Sequence, residues 1–176
     1  MSRPRRPARR GVRPTAARVR SALFDSLGTV IEDADVLDLF AGTGALGIEA
    51  LQRGARRAVF AERDPRQCRA IREALVDAGL AARAVVHTGD ALRVVTRLGA
   101  AGDTFDLVLL DPPYGEGWID RALGAIRGAR VLRSHGVIVA EGHWRDRPAM
   151  DPPYTLLKEG RYGETALWYI RVEPDQ

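Results

Sequence analysis

The stretch Val36-Leu37-Asp38-Leu39-Phe40-Ala41-Gly42-Thr43-Gly44-Ala45-Leu46-Gly47 restricts this chain to very few folds. An apolar run stops at a glycine-rich turn, and Ile48 to Leu51 resumes at helical spacing until Gly54. A strand, a tight loop and a helix in that order open a doubly wound sheet. Gly42 and Gly44 leave the backbone bare where a ligand can approach it, which points to a nucleotide-like ligand at the turn. Phe40, at the start of the turn, joins them as a candidate contact.

The spacing Gly42-x-Gly44-x-x-Gly47 also satisfies the dinucleotide fingerprint, and Glu62 lies twenty positions past Gly42, where a ribose-binding acid falls. Asp38 argues against NAD. It stands at the carboxyl end of the strand, pointing at the ligand, where it would repel a pyrophosphate. The sulfonium or ammonium end of S-adenosylmethionine would be attracted there instead. Asp111-Pro112-Pro113-Tyr114, moreover, has no role in hydride transfer. The expected cofactor is therefore S-adenosylmethionine, with a cap on the following turn as the competing role for Asp38.

Length and charge bound the rest. At 176 residues and 45% hydrophobic content, the chain is one domain able to bury a full core. No apolar stretch approaches the roughly eighteen residues that span a bilayer. The basic N-terminus leads into Pro, Arg and Thr rather than an apolar core, so no signal peptide and a cytosolic location are expected. The single Cys68 excludes an internal disulfide, and no Cys/His spacing suits a metal. Cys68 falls with Ile71, Leu75 and Ala78 on one helical face, as a core thiol would.

The net charge is +4, but residues 1 to 20 carry eight arginines and no acid, leaving −4 on the remainder. Such a distribution reads as a polyanion-binding arm on a mildly acidic body. Arg5, Arg6, Arg9, Arg10, Arg13 and Arg18 are the candidate nucleic-acid contacts. The competing reading is a solvated tail, because Arg outnumbers Lys 26 to 1 throughout.

Residues 1–12 form the expected flexible arm and residues 13–176 the folded domain. Thr15 is the expected N-cap of a first helix through Val19, Leu23 and Leu27, which Gly28 stops. Strands are predicted over about 36–40, 57–61, 83–87, 105–110 and 136–140. The fourth, Phe105 to Leu110, reads as fully apolar. Helices fall between the strands, one of them opened by Asp64-Pro65. Tyr154 to Leu157 and Ala166 to Ile170 then form an antiparallel pair. The fold class is α/β, a Rossmann-like, mostly parallel sheet with a C-terminal antiparallel hairpin.

Asp38, Glu62, Asp90 and Asp111 each stand at or just past a strand end, in four successive βα units. Ligands of such sheets bind there. Any one could be a helix cap, Asp90 above all. Four in register suit a cationic ligand bearing hydroxyl and amine donors.

Asp111 to Tyr114 carries the chemistry. An exocyclic base amine is a poor nucleophile because its lone pair is delocalised into the ring. A carboxylate and a fixed backbone carbonyl can accept its hydrogen bonds, favour the pyramidal geometry and stabilise developing positive charge. Pro112 and Pro113 keep the loop rigid, and Pro112 has no N–H to compete for the acceptor. Tyr114 offers a ring on which an unpaired or flipped base can stack. Asp151-Pro152-Pro153-Tyr154 repeats the tetrapeptide without a preceding apolar strand and reads as a loop.

Arg13-Pro14-Thr15 with Arg18-Val19-Arg20 and Leu23-Phe24, the Asp38 to Gly44 run continuing through Gly47-x-Glu49-Ala50, Glu62, Gly89-Asp90, Asp111 to Tyr114, and Tyr162-Gly163-Glu164-Thr165 together resemble the RsmD-type methyltransferases. Those enzymes modify a guanine amine of 16S ribosomal RNA. The resemblance spans about residues 13 to 170. It implies that Asp38, Gly42, Gly44, Glu62 and Asp90 line an S-adenosylmethionine site and that Asp111 to Tyr114 hold the target amine. It also implies 16S rRNA, or a small-subunit particle containing it, as partner. The residues themselves leave open an adenine-amine methyltransferase, an NAD-binding oxidoreductase and a non-catalytic RNA-binding relative.

Overall fold

The computed structural model describes residues 14–172. Arg5, Arg6, Arg9, Arg10, Arg13 and the rest of the expected arm lie outside the described residues. The first helix, α1 (Pro14–Leu27), begins at a proline, whose fixed φ and missing N–H suit the first helical position. Thr15 therefore lies inside the first turn rather than capping it. Val19, Leu23, Phe24 and Leu27 bury one face of α1, and Gly28 (φ +50) ends it. Arg18 is exposed, whereas the Arg20 Nε donates to Glu49 Oε2 at 2.6 Å, so its charge is already engaged.

The sheet units follow as β1 (Asp35–Leu39), α2 (Ala45–Gln52), β2 (Arg57–Glu62), α3 (Pro65–Asp77), β3 (Ala84–Thr88), α4 (Ala91–Ala100) and β4 (Phe105–Leu110). They continue as α5 (Trp118–Ala129), β5 (Leu132–His143), β6 (Tyr154–Tyr162) and β7 (Thr165–Val172). The spatial order is β3-β2-β1-β4-β5-β7-β6, parallel from β3 to β5 and antiparallel across β5, β7 and β6. The last strand is thus inserted between β5 and β6, and the hairpin's first strand takes the edge. Both hairpin strands and β5 run longer than their apolar stretches alone indicate. The edge strand β6 is half-buried or exposed throughout, so its added length rests on the ladder it shares with β7.

Alternation along the strands separates two cores. Val36, Leu107, Leu109 and Val139 face α1, α2 and α3, while Leu37, Leu39, Val108 and Leu110 face α4 and α5. Asp64 caps α3 by accepting from the Arg66 N–H at 2.9 Å, with Pro65 at the next position. Cys68, Ile71 and Leu75 are buried as expected, but Ala78, one turn further, is exposed at the helix end.

Strand β4 departs from the fully apolar expectation at Asp106. Its carboxylate accepts the Asp35 N–H at 2.8 Å and pairs with Arg133 at 2.5 Å. Asp35 itself is fully buried and meets Arg56, Arg57 and Arg133. This network clamps the amino ends of β1, β2, β4 and β5, the edge opposite the carboxyl-end loops. Its arginines stay partly in water, so the ion pairs form without desolvating every charge. Among the described residues no helix is long and apolar enough to cross a membrane, and no group of three or more His, Cys, Asp or Glu is placed to hold a metal.

Candidate functional site

Strands β1 and β4 are neighbours, yet the helices that follow them pack on opposite faces of the sheet. The crevice between their carboxyl ends is the topological switch point, where such sheets hold ligands. A pocket of about 430 Å³ opens there. Its walls are Phe40 and Gly42 after β1, Ala61 to Arg63 at the end of β2, Gly89 to Ala91 at the start of α4, and Asp111 to Tyr114 with Trp118 after β4.

The loop after β1 turns through three left-handed residues, Phe40 (φ +75), Gly42 (φ +54) and Gly44 (φ +78). A non-glycine residue there costs about 1–2 kcal/mol, and the Phe40 ring meets Trp118 edge-on, with centroids 5.8 Å apart. A Cβ on Gly42 would meet nothing within 4 Å, so its bareness leaves pocket space. Gly44 differs from expectation. It does not line the pocket, and a Cβ there would come within 3.0 Å of the Ile71 side chain, so its role is the turn and the packing of α3.

Asp38 also sits behind the wall rather than in it. It is 1% exposed, and its Oδ2 accepts the Gly47 N–H at 2.9 Å, near the start of α2. The cap describes the contact it makes. Burial, with Asp111 and Glu62 nearby and against the pull of the Gly47 bond, raises its pKa to about 7. Glu62 lines the pocket, with Oε2 accepting from Gly42 N at 2.8 Å and Oε1 from Asp64 N at 2.8 Å. It ties the glycine loop to the start of α3 and keeps lone pairs for a ligand. Asp90 lines the pocket too and caps α4, accepting from the Arg93 N–H at 3.0 Å.

Asp111 is the member of the series without a structural bond, for no described residue donates to its carboxylate. It keeps contact with solvent through the pocket mouth, yet the protein around it pushes its pKa to about 6. Pro112 is buried, and Tyr114 is 57% exposed with its ring at the rim. The Gly115 N–H, just beyond, donates to Asp146 Oδ2 at 3.0 Å and fastens the loop to the segment after β5. The second tetrapeptide takes no part. Tyr154 opens β6, and its hydroxyl donates to the Leu123 carbonyl at 2.5 Å.

Sequence reasoning passed over three residues here. Trp118 reads as the first apolar residue of a helix, but it walls the pocket, with Arg121 4.0 Å above its ring. Asp146 carries no local pattern. Glu141 lies inside β5 but just past the predicted strand over about 136–140, so the series of acids after apolar runs extends to it, a signal that was available. Burial, and then Asp111, raises its pKa to about 7. The Tyr162 to Thr165 motif forms the turn between β6 and β7 at the same edge of the sheet, where the Glu164 carbonyl accepts the Trp144 N–H at 3.0 Å.

A sheet with this strand order, a glycine loop after β1 and an acid-bearing loop after β4 define a Rossmann-like protein of the class I methyltransferase type. A family model described as Conserved hypothetical protein 95 matches residues 5–171. The chain belongs to that family, which is also the RsmD family. It is 34% identical over 162 residues to the ribosomal RNA small subunit methyltransferase D of Escherichia coli (strain K12), covering 89% of this chain and 77% of that protein. The solved structure of Escherichia coli yhhF superposes with a TM-score of 0.83 at 30% identity, over 90% of this chain and 88% of the other. The structure of SMU.776 complexed with SAH shares the fold at 16% identity, with a TM-score of 0.71 over 88% of this chain and 48% of that one.

Proposed function

We propose that the chain transfers a methyl group from S-adenosylmethionine to the exocyclic N2 amine of a guanine in small-subunit ribosomal RNA. The observation that carries this reading is the Asp111 carboxylate. It accepts no hydrogen bond from the described residues, it opens onto the switch-point pocket, and a rigid Pro-Pro segment follows it. The family's ribosomal RNA small subunit methyltransferase D members supply the substrate class.

The pocket suits the cofactor on its own chemistry. Its volume is about 430 Å³, Phe40 and Trp118 give aromatic walls, and Gly42 leaves the backbone open. Glu62 and Asp90 present acceptors to hydroxyls and an amine. Asp111 and Glu62 add to the burial that raises the Asp38 pKa, and the negative field of these acids favours a cation. When bound, S-adenosylmethionine supplies an electrophilic methyl group on a sulfonium centre. Asp111 and the loop backbone accept from the amine and orient its lone pair, and Tyr114 stacks the base. The nitrogen must shed one proton as it gains the methyl group, and the Asp111 carboxylate is the base that faces it.

The test uses small-subunit ribosomal RNA from a strain lacking this gene, naked and as assembling particles, incubated with the protein and labelled S-adenosylmethionine. Digestion to nucleosides should show the label in N2-methylguanosine. Label in N6-methyladenosine would replace this reading with the adenine alternative, and no label in either RNA form would overturn it.

The basic arm enters here as an RNA-binding element. Residues 1 to 20 carry eight arginines, and deleting residues 2–10 removes five of them. The truncated protein should bind S-adenosylmethionine as before and bind RNA more weakly. Its log–log salt slope should be shallower by about 0.7 for each single-strand phosphate that the arm no longer neutralises. Filter binding from low to high salt measures this, and an unchanged slope would leave the arm a solvated tail.

A further inference from the structure

Glu141 has no place in the chemistry of Asp111 and the cofactor pocket. In the parallel register of β4 and β5 the last paired residues are Leu110 and Ala140, so Asp111 and Glu141 stand one step further along neighbouring strands. The ladder itself ends at Leu110, and a continuation of its register by one residue puts both side chains on one face, with adjacent strands about 4.8 Å apart. The two carboxylates feel one another's charge, and no described residue donates a hydrogen bond to either. Glu141 lines a small pocket of about 20 Å³ with Pro112, Pro113, Tyr114 and Trp118. That space holds on the order of one water molecule. That volume is too small for a whole ring and leaves room for no more than the edge of one.

Two neighbouring acceptors that no described residue engages, both reached by solvent, match a ligand edge with two donors side by side. The pairing edge of guanine presents N1–H beside the N2 amine, whereas adenine presents an acceptor, N1, beside its N6 amine. We propose that Glu141 selects guanine by accepting the N1–H of the base whose N2 amine Asp111 holds. The inference rests on the function proposed above and deepens it. Adenine would set its N1 lone pair against a partly buried carboxylate, leaving that carboxylate without a donor. A site built to hydrogen-bond a group rejects the analogue lacking it far more strongly than an apolar pocket rejects a change of shape.

The test uses small-subunit particles reconstituted with either guanine or 2-aminopurine at the nucleotide mapped in the assay above. 2-Aminopurine keeps the N2 amine but has no N1–H. The wild-type protein should prefer guanine in kcat/KM by about 10- to 100-fold, the range of a lost hydrogen bond to a charged group. Glu141→Ala should lower the guanine value by a similar factor and collapse the preference. Glu141→Gln should keep more of the guanine rate than Glu141→Ala, because its amide oxygen still accepts N1–H, but it should lose much of the preference, because its amide N–H can donate to N1 of 2-aminopurine. S-adenosylmethionine titration of each variant checks that the first pocket is intact. Equal rates of the wild-type protein on both bases would overturn the proposal whatever the variants do, as would a preference that survives in Glu141→Ala. A wild-type protein that labels no guanine defeats the parent reading instead, so the two failures are distinct.

Discussion

Asp111→Ala is expected to lower turnover by about 10²–10³-fold, the usual cost of losing one preorganised group aimed at transition-state charge. S-adenosylmethionine affinity should change little, because Glu62, Asp90 and the glycine loop remain in place. Asp111→Asn keeps an acceptor oxygen and should retain more activity than Ala, but it cannot take the proton. The wild-type pH profile follows from the ionised form. With the Asp111 pKa raised to about 6, activity should be full above that value and fall as pH drops through it. Single-turnover rates between pH 5 and 8 check this, with the Asn variant losing the inflection. Turnover by Asp111→Ala equal to that of the parent would remove the amine-holding role.

Gly47→Ala is expected to be the most damaging substitution in the glycine loop region, although Gly47 does not touch the pocket. A Cβ there would lie 2.3 Å from the Phe60 ring and 3.1 Å from Asp38 Oδ2. Phe60, a residue of β2, is fully buried in the core that the sheet shares with α2 and α3. Overpacking of this kind costs about 1–3 kcal/mol, and pushing α2 away also strands the Asp38 carboxylate, which loses its Gly47 N–H. Together they should lower the melting temperature by roughly 10 °C for a domain of this size and weaken S-adenosylmethionine through a displaced loop. Gly42→Ala makes the contrast. Its Cβ meets nothing, so only the left-handed φ is penalised, yet that methyl enters the pocket. Thermal unfolding with and without S-adenosylmethionine separates them: Gly47→Ala should lose stability in both conditions, Gly42→Ala mainly the stabilisation by ligand. Similar melting curves for the two variants would contradict this division of roles.

That division of roles among the glycines of one loop marks the boundary between local and tertiary information. Strand, turn and helix over residues 36–51 follow from apolar periodicity and glycine, which act within a few residues. The same holds for the Asp64-Pro65 helix start and for the acids at the ends of four strands, because strand ends and helix starts are local events. Those patterns determined the α/β class and the edge of the sheet that carries the pocket, and they singled out Asp111 to Tyr114, the loop proposed to hold the amine. Contacts with distant parts of the chain decided the rest. Whether Asp38 lines the pocket depends on how close α2 can lie, and the Phe60 ring beside Gly47 sets that distance. Gly44 is bare for Ile71, a residue of another helix. Trp118 becomes a wall only when α5 packs beside the loop after β1, and Glu141 becomes a neighbour of Asp111 only through the pairing of β4 with β5. Nor does periodicity reveal that β7 lies inside β6. That order depends on the antiparallel ladder β7 shares with β5, and strand pairing is not written in the spacing of either strand alone.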